Sequence, residues 1–193
     1  MNYNKIVLAS SSPRRKELLN QLGLDFTIIP GNINEEKYIN FSPENTVVSL
    51  AQAKVKDAAG LVEDTVIIGA DTIVVYEDEI IGKPENEKEA KKILLKLSGN
   101  KHEVYTGLAV MSTFEDKVLV ECDVTEVYMR KLSKEQINNY IKSGEPLDKA
   151  GSYGIQGIGG ILVEEIRGSF YTVVGLPIHK LALMLDEFSI NIL

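Results

Sequence analysis

The sequence predicts an α/β fold in which helices flank a mixed β-sheet. Apolar and β-branched runs typical of strands alternate with amphipathic helical segments along the whole 193-residue chain. Some neighbouring strand runs are also joined by short polar turns, which favours hairpins and therefore antiparallel pairs beside any crossover units. With 44% hydrophobic residues the chain can bury a core. We expect one domain over residues 1–193, of ordinary size or as two small lobes that share the sheet.

The composition limits where the protein works and what it binds. One cysteine, Cys122, cannot form an internal disulfide, and two histidines are too few for a structural zinc site. The N-terminus lacks the pattern of a secretion signal, and no segment has the apolar length of a membrane span. A net charge of −7 argues against general nucleic-acid binding. We therefore expect a cytoplasmic protein with neither a nucleic-acid nor a membrane partner.

The first third of the chain predicts a strand, a helix, a second strand and a second helix. Residues 5–9 form an apolar run, and Ser12 and Pro13 are suited to begin a helix that Gly23 ends. Residues 26–30 indicate the second strand. The second helix begins at Ser42 and Pro43, and Lys54 lies on its apolar face.

The remaining elements follow the same alternation. Two β-branched runs, 65–68 and 73–75, are interrupted by Gly69, Ala70, Asp71 and Thr72. The later predictions are a hairpin tip at 77–79, a helix from Asn86 to Gly99, a long hairpin of 104–111 with 118–129, a helix from Ser133 to Gly144, strands near 161–166 and 170–174, and a final helix around 181–188.

The segment ASSSPRR, residues 9–15, predicts an anion site at a helix N-terminus. It combines free backbone N–H groups, serine hydroxyls such as Ser10, and the guanidiniums of Arg14 and Arg15. Two positive charges at this end oppose the helix dipole, which costs about 0.3–1 kcal/mol for each charge when it is exposed. A bound anion would offset this cost. The alternative is a simple Ser12 cap followed by solvated arginines. We favour the anion site.

Lys54 and Asp71 are the next candidates. A lysine on an apolar helix face needs an acidic partner, or else lies with its stem on the core and its ammonium in water, and the pattern leaves both possibilities open. Asp71 is expected at the end of an apolar strand, where open α/β sheets place their chemistry. Small residues before it let a ligand approach, and Thr72 continues into β-branched residues instead of a turn. Asp71 is therefore the favoured base.

Three further candidates are weaker on the pattern alone. Lys83 stands between Gly82 and Pro84, which suits a positioned ammonium, but from the residues alone an ordinary loop lysine is favoured. Glu35 and Glu36 are solvated charges or, alternatively, carboxylates that complete a magnesium site.

Residues 144–160, GEPLDKAGSYGIQGIGG, predict an ordered binding loop whose polar candidates are Asp148, Lys149 and Gln156. Apolar residues threaded among the glycines distinguish it from a flexible linker. The glycines lead into a strand, unlike a dinucleotide fingerprint, and the chain has neither a Walker A loop nor a G-x-S-x-G elbow. These absences argue against a P-loop ATPase and a serine hydrolase.

Six motifs in fixed order resemble the Maf family of nucleotide pyrophosphatases: ASSSPRRKELL from Ala9, GADTIV from Gly69, GKP from Gly82, LSGNKHEVYTG from Leu97, GEPLDKAGSYGIQGIGG from Gly144 and VVGLP from Val173. The resemblance spans nearly the whole chain. It implies a fold similar to the inosine triphosphate pyrophosphatases, with an elongated mixed sheet, a cleft between two lobes, and a homodimer. It also implies hydrolysis of a nucleoside triphosphate to monophosphate and pyrophosphate with a divalent metal, Mg or Mn.

The resemblance also assigns roles to residues of this sequence. Asp71 would be the proton acceptor, Lys54 and Lys83 would stabilise phosphate charge, and Glu35 with Asp71 would hold the metal. Ser10, Arg15 and Lys149 would line the triphosphate site. Arg14, Thr72 and Gln156 match the branch that prefers dTTP and UTP.

Two other functions remain open from the sequence. One is a nucleotide-binding regulator of septum formation without essential turnover, a role with which Maf proteins are associated. The other is a nucleotidyl transferase that passes the nucleotide to an acceptor other than water.

Overall fold

The computed structural model describes residues 5–39, 42–115 and 117–193. In this part of the chain seven strands and six α-helices are present. The strands are β1 (Ile6–Leu8), β2 (Thr27–Ile28), β3 (Val66–Tyr76), β4 (Glu79–Ile81), β5 (Lys101–Ser112), β6 (Lys117–Met129) and β7 (Val163–Arg167). The helices are α1 (Pro13–Gln21), α2 (Pro43–Ala59), α3 (Glu87–Leu97), α4 (Lys134–Ile141), α5 (Phe170–Val174) and α6 (Ile178–Asp186).

The strands form one mixed sheet in the order β2-β1-β3-β5-β6-β7, with β4 paired to β3. Strand β1 is parallel to both β2 and β3, whereas β3 with β4 and β6 with β7 are antiparallel. The predicted mixed α/β class is therefore confirmed. Among the described helices, none combines the length and apolar character needed to cross a membrane.

The chain divides into two compact units. Unit 1 comprises the described residues of Met1–Asp71, Thr106–Asp123 and Gly175–Leu193, and unit 2 comprises Thr72–Tyr105 and Val124–Val174. Each unit has its own buried apolar cluster. In unit 1 this cluster joins β1, α2, β3 and β5, and in unit 2 it joins α3, α4 and the neighbouring strand segments.

Most predicted helix ends are confirmed by their hydrogen bonds. Ser133 and Gln136 form a complete capping box at the start of α4. At the start of α3 the Asn86 side chain accepts from the Glu89 N–H, but the Glu89 carboxylate accepts from the N–H of Glu85, not of Asn86. Gly23 follows α1 with a φ of 70°, the left-handed conformation expected of a residue that ends a helix.

Two predicted elements were wrong. The runs 65–68 and 73–75 belong to one continuous strand, β3, so residues 69–72 do not interrupt it. Residues 170–174 form the helix α5, although β-branched residues in this segment favour a strand. The Thr125 hydroxyl bonds both the N–H and the C=O of Ser169, and the N–H of Thr172 donates to Ser169 O at 3.1 Å. These contacts fix the backbone at the start of α5 in a turn that leads into the helix.

Helix α2 lies very close to the sheet because two strand residues facing it are glycines. A Cβ on Gly69 of β3 would lie 2.6 Å from Val55 Cγ1 and 2.9 Å from the Ala51 carbonyl oxygen. A Cβ on Gly107 of β5 would lie 2.2 Å from the carbonyl oxygen of Val47. All three distances are shorter than van der Waals contact, so only glycine permits this approach.

We expect Gly107→Ala to force α2 away from β5, because its Cβ meets backbone atoms that cannot rotate aside. The free energy of unfolding should fall by about 1–3 kcal/mol or more, measured by chemical denaturation. Gly60→Ala is the matched control, since its Cβ would have an ordinary contact 3.5 Å from Asp57 O. Equal stabilities of the two variants would contradict the close-approach argument.

The core of unit 2 contains a buried histidine. His102 is 1% exposed, its Nε2 lies 2.7 Å from the Tyr153 hydroxyl, and the two rings meet edge to face. Burial lowers the pKa of His102 from 6.5 to about 4. His102 is therefore neutral in the folded protein at neutral pH, and it anchors β5 to the glycine-rich segment through Tyr153.

This burial makes stability depend on pH in a defined direction. Below pH 6.5 the unfolded chain binds a proton at His102 that the folded chain binds only near pH 4, so stability falls as the pH drops through this window. The loss attributable to His102 should approach about 3 kcal/mol at the acid end. His102→Gln should flatten the dependence of unfolding free energy on pH relative to wild type. Parallel curves for wild type and His102→Gln would contradict this assignment.

Candidate active site

Ser10 and Arg15 are brought together where β1 leads into α1. Both are buried, and Arg15 donates from a terminal nitrogen to Ser10 Oγ at 3.0 Å. Ser10 Oγ also accepts from the backbone N–H of Ser12 at 3.2 Å. Ser12 occupies the N-cap position as predicted, but its side chain forms no capping bond with the described helix. The hydroxyl of Ser10 therefore orders this turn.

Arg15 is held at both edges of its guanidinium. Its Nε donates to the carbonyl oxygen of Gly175 at 2.8 Å, 160 positions further along the chain. Burial is the main cause that lowers the pKa of Arg15, while the charges of Asp71 and Glu35 oppose the shift and Arg14 adds to it. The charges of Arg14, Glu35 and Asp71 therefore all act on one buried guanidinium.

Lys54 forms the centre of the site in unit 1. Its ammonium contacts Asp71 Oδ1 at 2.5 Å and Glu35 Oε1 at 2.7 Å. The side chains of Lys54 and Asp71 are only 12% and 13% exposed, whereas that of Glu35 is 58% exposed. The acidic partner that a lysine on an apolar helix face requires is thus present twice. Of the two alternatives left open by the sequence, the paired lysine is the one found.

The position of Asp71 differs from the prediction. It lies inside the eleven-residue strand β3, not at the end of a strand. Side chains alternate along a strand, so Gly69 and Asp71 face the same side, toward α2, and Thr72 leaves on the other face. The missing side chain of Gly69 lets α2 approach, and this approach brings Lys54 to Asp71.

Glu35 reaches Lys54 from a short 3-10 helix, Glu35–Tyr38. The Asn34 side chain caps this helix by accepting from the N–H of Glu36 at 3.1 Å. Glu36 is exposed. Of the two glutamates, Glu35 is the one whose side chain shares the Lys54 ammonium with Asp71.

The described residues contain no group of three or more histidine, cysteine, aspartate and glutamate side chains able to hold a metal. Glu35 and Asp71 nevertheless place two carboxylates around one point, now bridged by Lys54. Magnesium commonly takes one or two carboxylates together with waters and substrate phosphates. This carboxylate pair therefore fits such an ion as far as its donors are concerned.

The predicted site residues Lys83, Lys149 and Gln156 belong to unit 2. Lys83 is exposed in the turn after β4, and that turn is tied to the glycine-rich segment because the N–H of Gly151 donates to Gly82 O at 3.2 Å. Lys149 donates to Glu145 O and to Asp148 Oδ1, both at 2.7 Å. The glycine-rich segment is ordered, as predicted, because most of residues 145–162 lie in three 3-10 helices.

Sequence reasoning missed Glu145 and Tyr140. The Glu145 carboxylate accepts from the backbone N–H groups of Ile158 and Gly159 at 3.3 and 3.1 Å, and from the Tyr140 hydroxyl at 2.9 Å. A glutamate that opens a glycine-rich segment was the only available signal. The spacing along the chain does not reveal which backbone amides it bonds.

The chain belongs to the Maf family: a family model described as Maf-like protein matches residues 5–188. A relative from Bacillus cereus, named dTTP/UTP pyrophosphatase, is 50% identical over 191 residues, covering 99% of this chain and 93% of its own. A relative of the same name from Dictyoglomus thermophilum is 49% identical over 190 residues, which is 98% of each chain. A solved structure of the Staphylococcus aureus Ham1 protein has a TM-score of 0.49 and 15% identity, covering 83% of this chain and 80% of its own.

The pair of Lys54 and Asp71 should be strongly coupled in folding. We expect Lys54→Met to lower the free energy of unfolding by about 1–3 kcal/mol, because it leaves a largely buried carboxylate without its donor. Adding Asp71→Asn should restore part of this loss, so the double-mutant cycle should give a coupling energy of about 0.5–3 kcal/mol. Lys56→Met, at an exposed position on the same helix, is the control. Additive effects of the two site substitutions would contradict the pairing.

Proposed function

We propose that this protein hydrolyses dTTP and UTP to the nucleoside monophosphate and pyrophosphate. The observation that carries the proposal is the cluster of Lys54, Asp71 and Glu35 with the buried Arg15 nearby in electrostatic range. Relatives that are about 50% identical over almost their full length are named dTTP/UTP pyrophosphatase, which supports the same substrates here.

Cationic side chains are needed at the site to offset the negative charge of the substrate. A nucleoside triphosphate carries about four negative charges, and these must be offset locally because the protein itself has a net charge of −7. Arg15 and Lys54 supply fixed positive charge in unit 1, and we assign Arg14 and Ser10 to the same phosphate-binding role. Lys83 and Lys149 are proposed as further phosphate ligands, with Thr72 and Gln156 as residues that recognise the base.

Asp71 is the proposed general base. Its carboxylate is held beside the ammonium of Lys54, which keeps an oxygen in a fixed direction. In the proposed step Asp71 orients a water molecule and accepts its proton as the water attacks the α-phosphorus. The bond from the α-phosphorus to the bridging oxygen breaks, and pyrophosphate leaves. Lys54 and Arg15 stabilise the negative charge that develops on the phosphate oxygens.

Glu35 and Asp71 are the residues that would hold a divalent cation, Mg or Mn. Such a cation supplies positive charge that polarises a phosphate oxygen and neutralises the leaving pyrophosphate. Because Lys54 bridges both carboxylates, its ammonium keeps two like charges together in the free protein. A homodimer and a cytoplasmic location, both expected from the sequence, stay predictions.

A turnover screen tests the substrate. Each of the common nucleoside triphosphates is incubated with magnesium or manganese, and pyrophosphate and nucleotide products are quantified. Monophosphate with pyrophosphate from dTTP and UTP is the expected result. A nucleotide adduct would favour transfer to another acceptor, absence of turnover would favour the regulator of septum formation, and preference for a purine would contradict the assigned base.

Asp71→Asn should abolish turnover while the fold is retained. Removing the base should lower kcat by about 10²–10⁴-fold, because the amide cannot accept the proton from water. Asp25→Asn is the matched control and should retain wild-type kcat, since Asp25 is exposed and lies outside the assigned site. Circular dichroism should show the same secondary structure for all three proteins. Near wild-type turnover by a folded Asp71→Asn protein would refute the role of Asp71.

A further inference from the structure

The glycine-rich segment 144–160 is organised by one carboxylate. Glu145 stands at its start, and its side chain accepts two backbone N–H bonds from the far end of the segment, from Ile158 and Gly159. The Tyr140 hydroxyl, from α4, donates to the same carboxylate at 2.9 Å and accepts from the N–H of Gly154 at 3.2 Å. The backbone is thereby fixed on both sides of Gln156.

Steric contacts reinforce these bonds. A Cβ on Gly159 would lie 2.3 Å from the carbonyl oxygen of Gly154, 2.5 Å from the Tyr140 hydroxyl and 2.9 Å from Glu145 Oε1. A Cβ on Gly154 would lie 2.8 Å from Lys149 Cε. The two glycines therefore let the segment close on itself, with Gln156 lying between them in the chain.

The position of Gln156 matters because of its chemistry. A carboxamide offers both a donor and an acceptor, so it can match either kind of base edge. Thymine and uracil present an acceptor at O4, whereas cytosine presents a donor at N4. Which base is preferred is therefore decided by where the carboxamide is held, not by the residue type alone.

We propose that Glu145 and Tyr140 are positioning residues that hold Gln156 and thereby set the preference for uracil-type over cytosine-type nucleotides. This inference rests on the proposed function, since it concerns the base recognised by that same enzyme. Neither residue needs to touch the nucleotide. Their effect is transmitted through the backbone amides of Gly154, Ile158 and Gly159.

The hydroxyl of Tyr140 is well suited to this role. Tyr140 is 4% exposed, and burial together with the hydrogen bond to Glu145 raises its pKa above the ordinary range. The phenol therefore remains protonated at neutral pH, as its bond to the carboxylate requires. Its ring packs in the core of unit 2, so Tyr140→Phe removes the hydroxyl and retains the packing.

The test compares kcat and KM for dTTP and dCTP in wild type and four variants. Glu145→Ala removes all three acceptor bonds, Tyr140→Phe removes the hydroxyl bridge, and Glu145→Gln retains an oxygen for Tyr140 and Gly159 but loses the acceptor for Ile158. Glu164→Ala is the matched control, an exposed glutamate on β7 of the same unit. Thermal unfolding and amide hydrogen exchange of residues 154–159 are measured on each protein.

We expect Glu145→Ala to lower the ratio of the two kcat/KM values about tenfold, mainly through a higher KM for dTTP. Tyr140→Phe and Glu145→Gln should give smaller losses, and hydrogen exchange at 154–159 should accelerate in the same order. Glu164→Ala should match wild type. If Glu145→Ala fails to fold, the ratio of kcat/KM for dTTP to that for dCTP in Tyr140→Phe and Glu145→Gln tests the inference instead.

The inference is overturned if folded variants keep the wild-type ratio, or if they lose kcat equally with both nucleotides, since either result indicates a merely structural role. Failure of the proposed function has a different signature. In that case the wild-type protein itself releases no pyrophosphate from dTTP. A wild type that hydrolyses both nucleotides equally would refute the specificity role while leaving pyrophosphatase activity in place.

Discussion

The contact of the Lys54 ammonium with Asp71 and Glu35 is the interaction on which unit 1 and its site both depend. A lysine on the apolar face of a helix is costly to bury unless its charge is matched, and the two carboxylates provide that match. Helix α2 must then lie close enough to β3 for the ammonium to reach Asp71. The absence of a side chain at Gly69 permits this distance, so packing and chemistry are joined at one point.

In unit 2 the structural requirement is to order the glycine-rich segment. This segment has many backbone amides and few side chains with which to order them. A single carboxylate, that of Glu145, gathers two of these amides and a phenol, and the histidine buried beside Tyr153 anchors the same segment to β5. Order in such a segment comes from hydrogen bonds to the backbone, because glycines contribute little apolar surface.

Local signals predicted the elements whose ends are determined locally. The proline at the start of α1, the glycine after it and the capping box of α4 act within one helical turn, and the structure has them where they were expected. Prediction failed for β3 and α5. Gly69 indicated a break in the strand but instead accommodates a helix, and the β-branched residues of α5 yield to the bonds that Thr125 makes with Ser169.

The sequence alone determined the class of fold, the family and the types of side chain available for chemistry, because apolar periodicity and ordered motifs are properties of neighbouring residues. Only the tertiary structure decided which side chains contact one another. It placed Asp71 within a strand, chose Glu35 over Glu36 as the second acid on Lys54, and joined Arg15 to a carbonyl 160 positions away. Such contacts depend on how closely helices and strands pack, a distance that no local pattern of residues specifies.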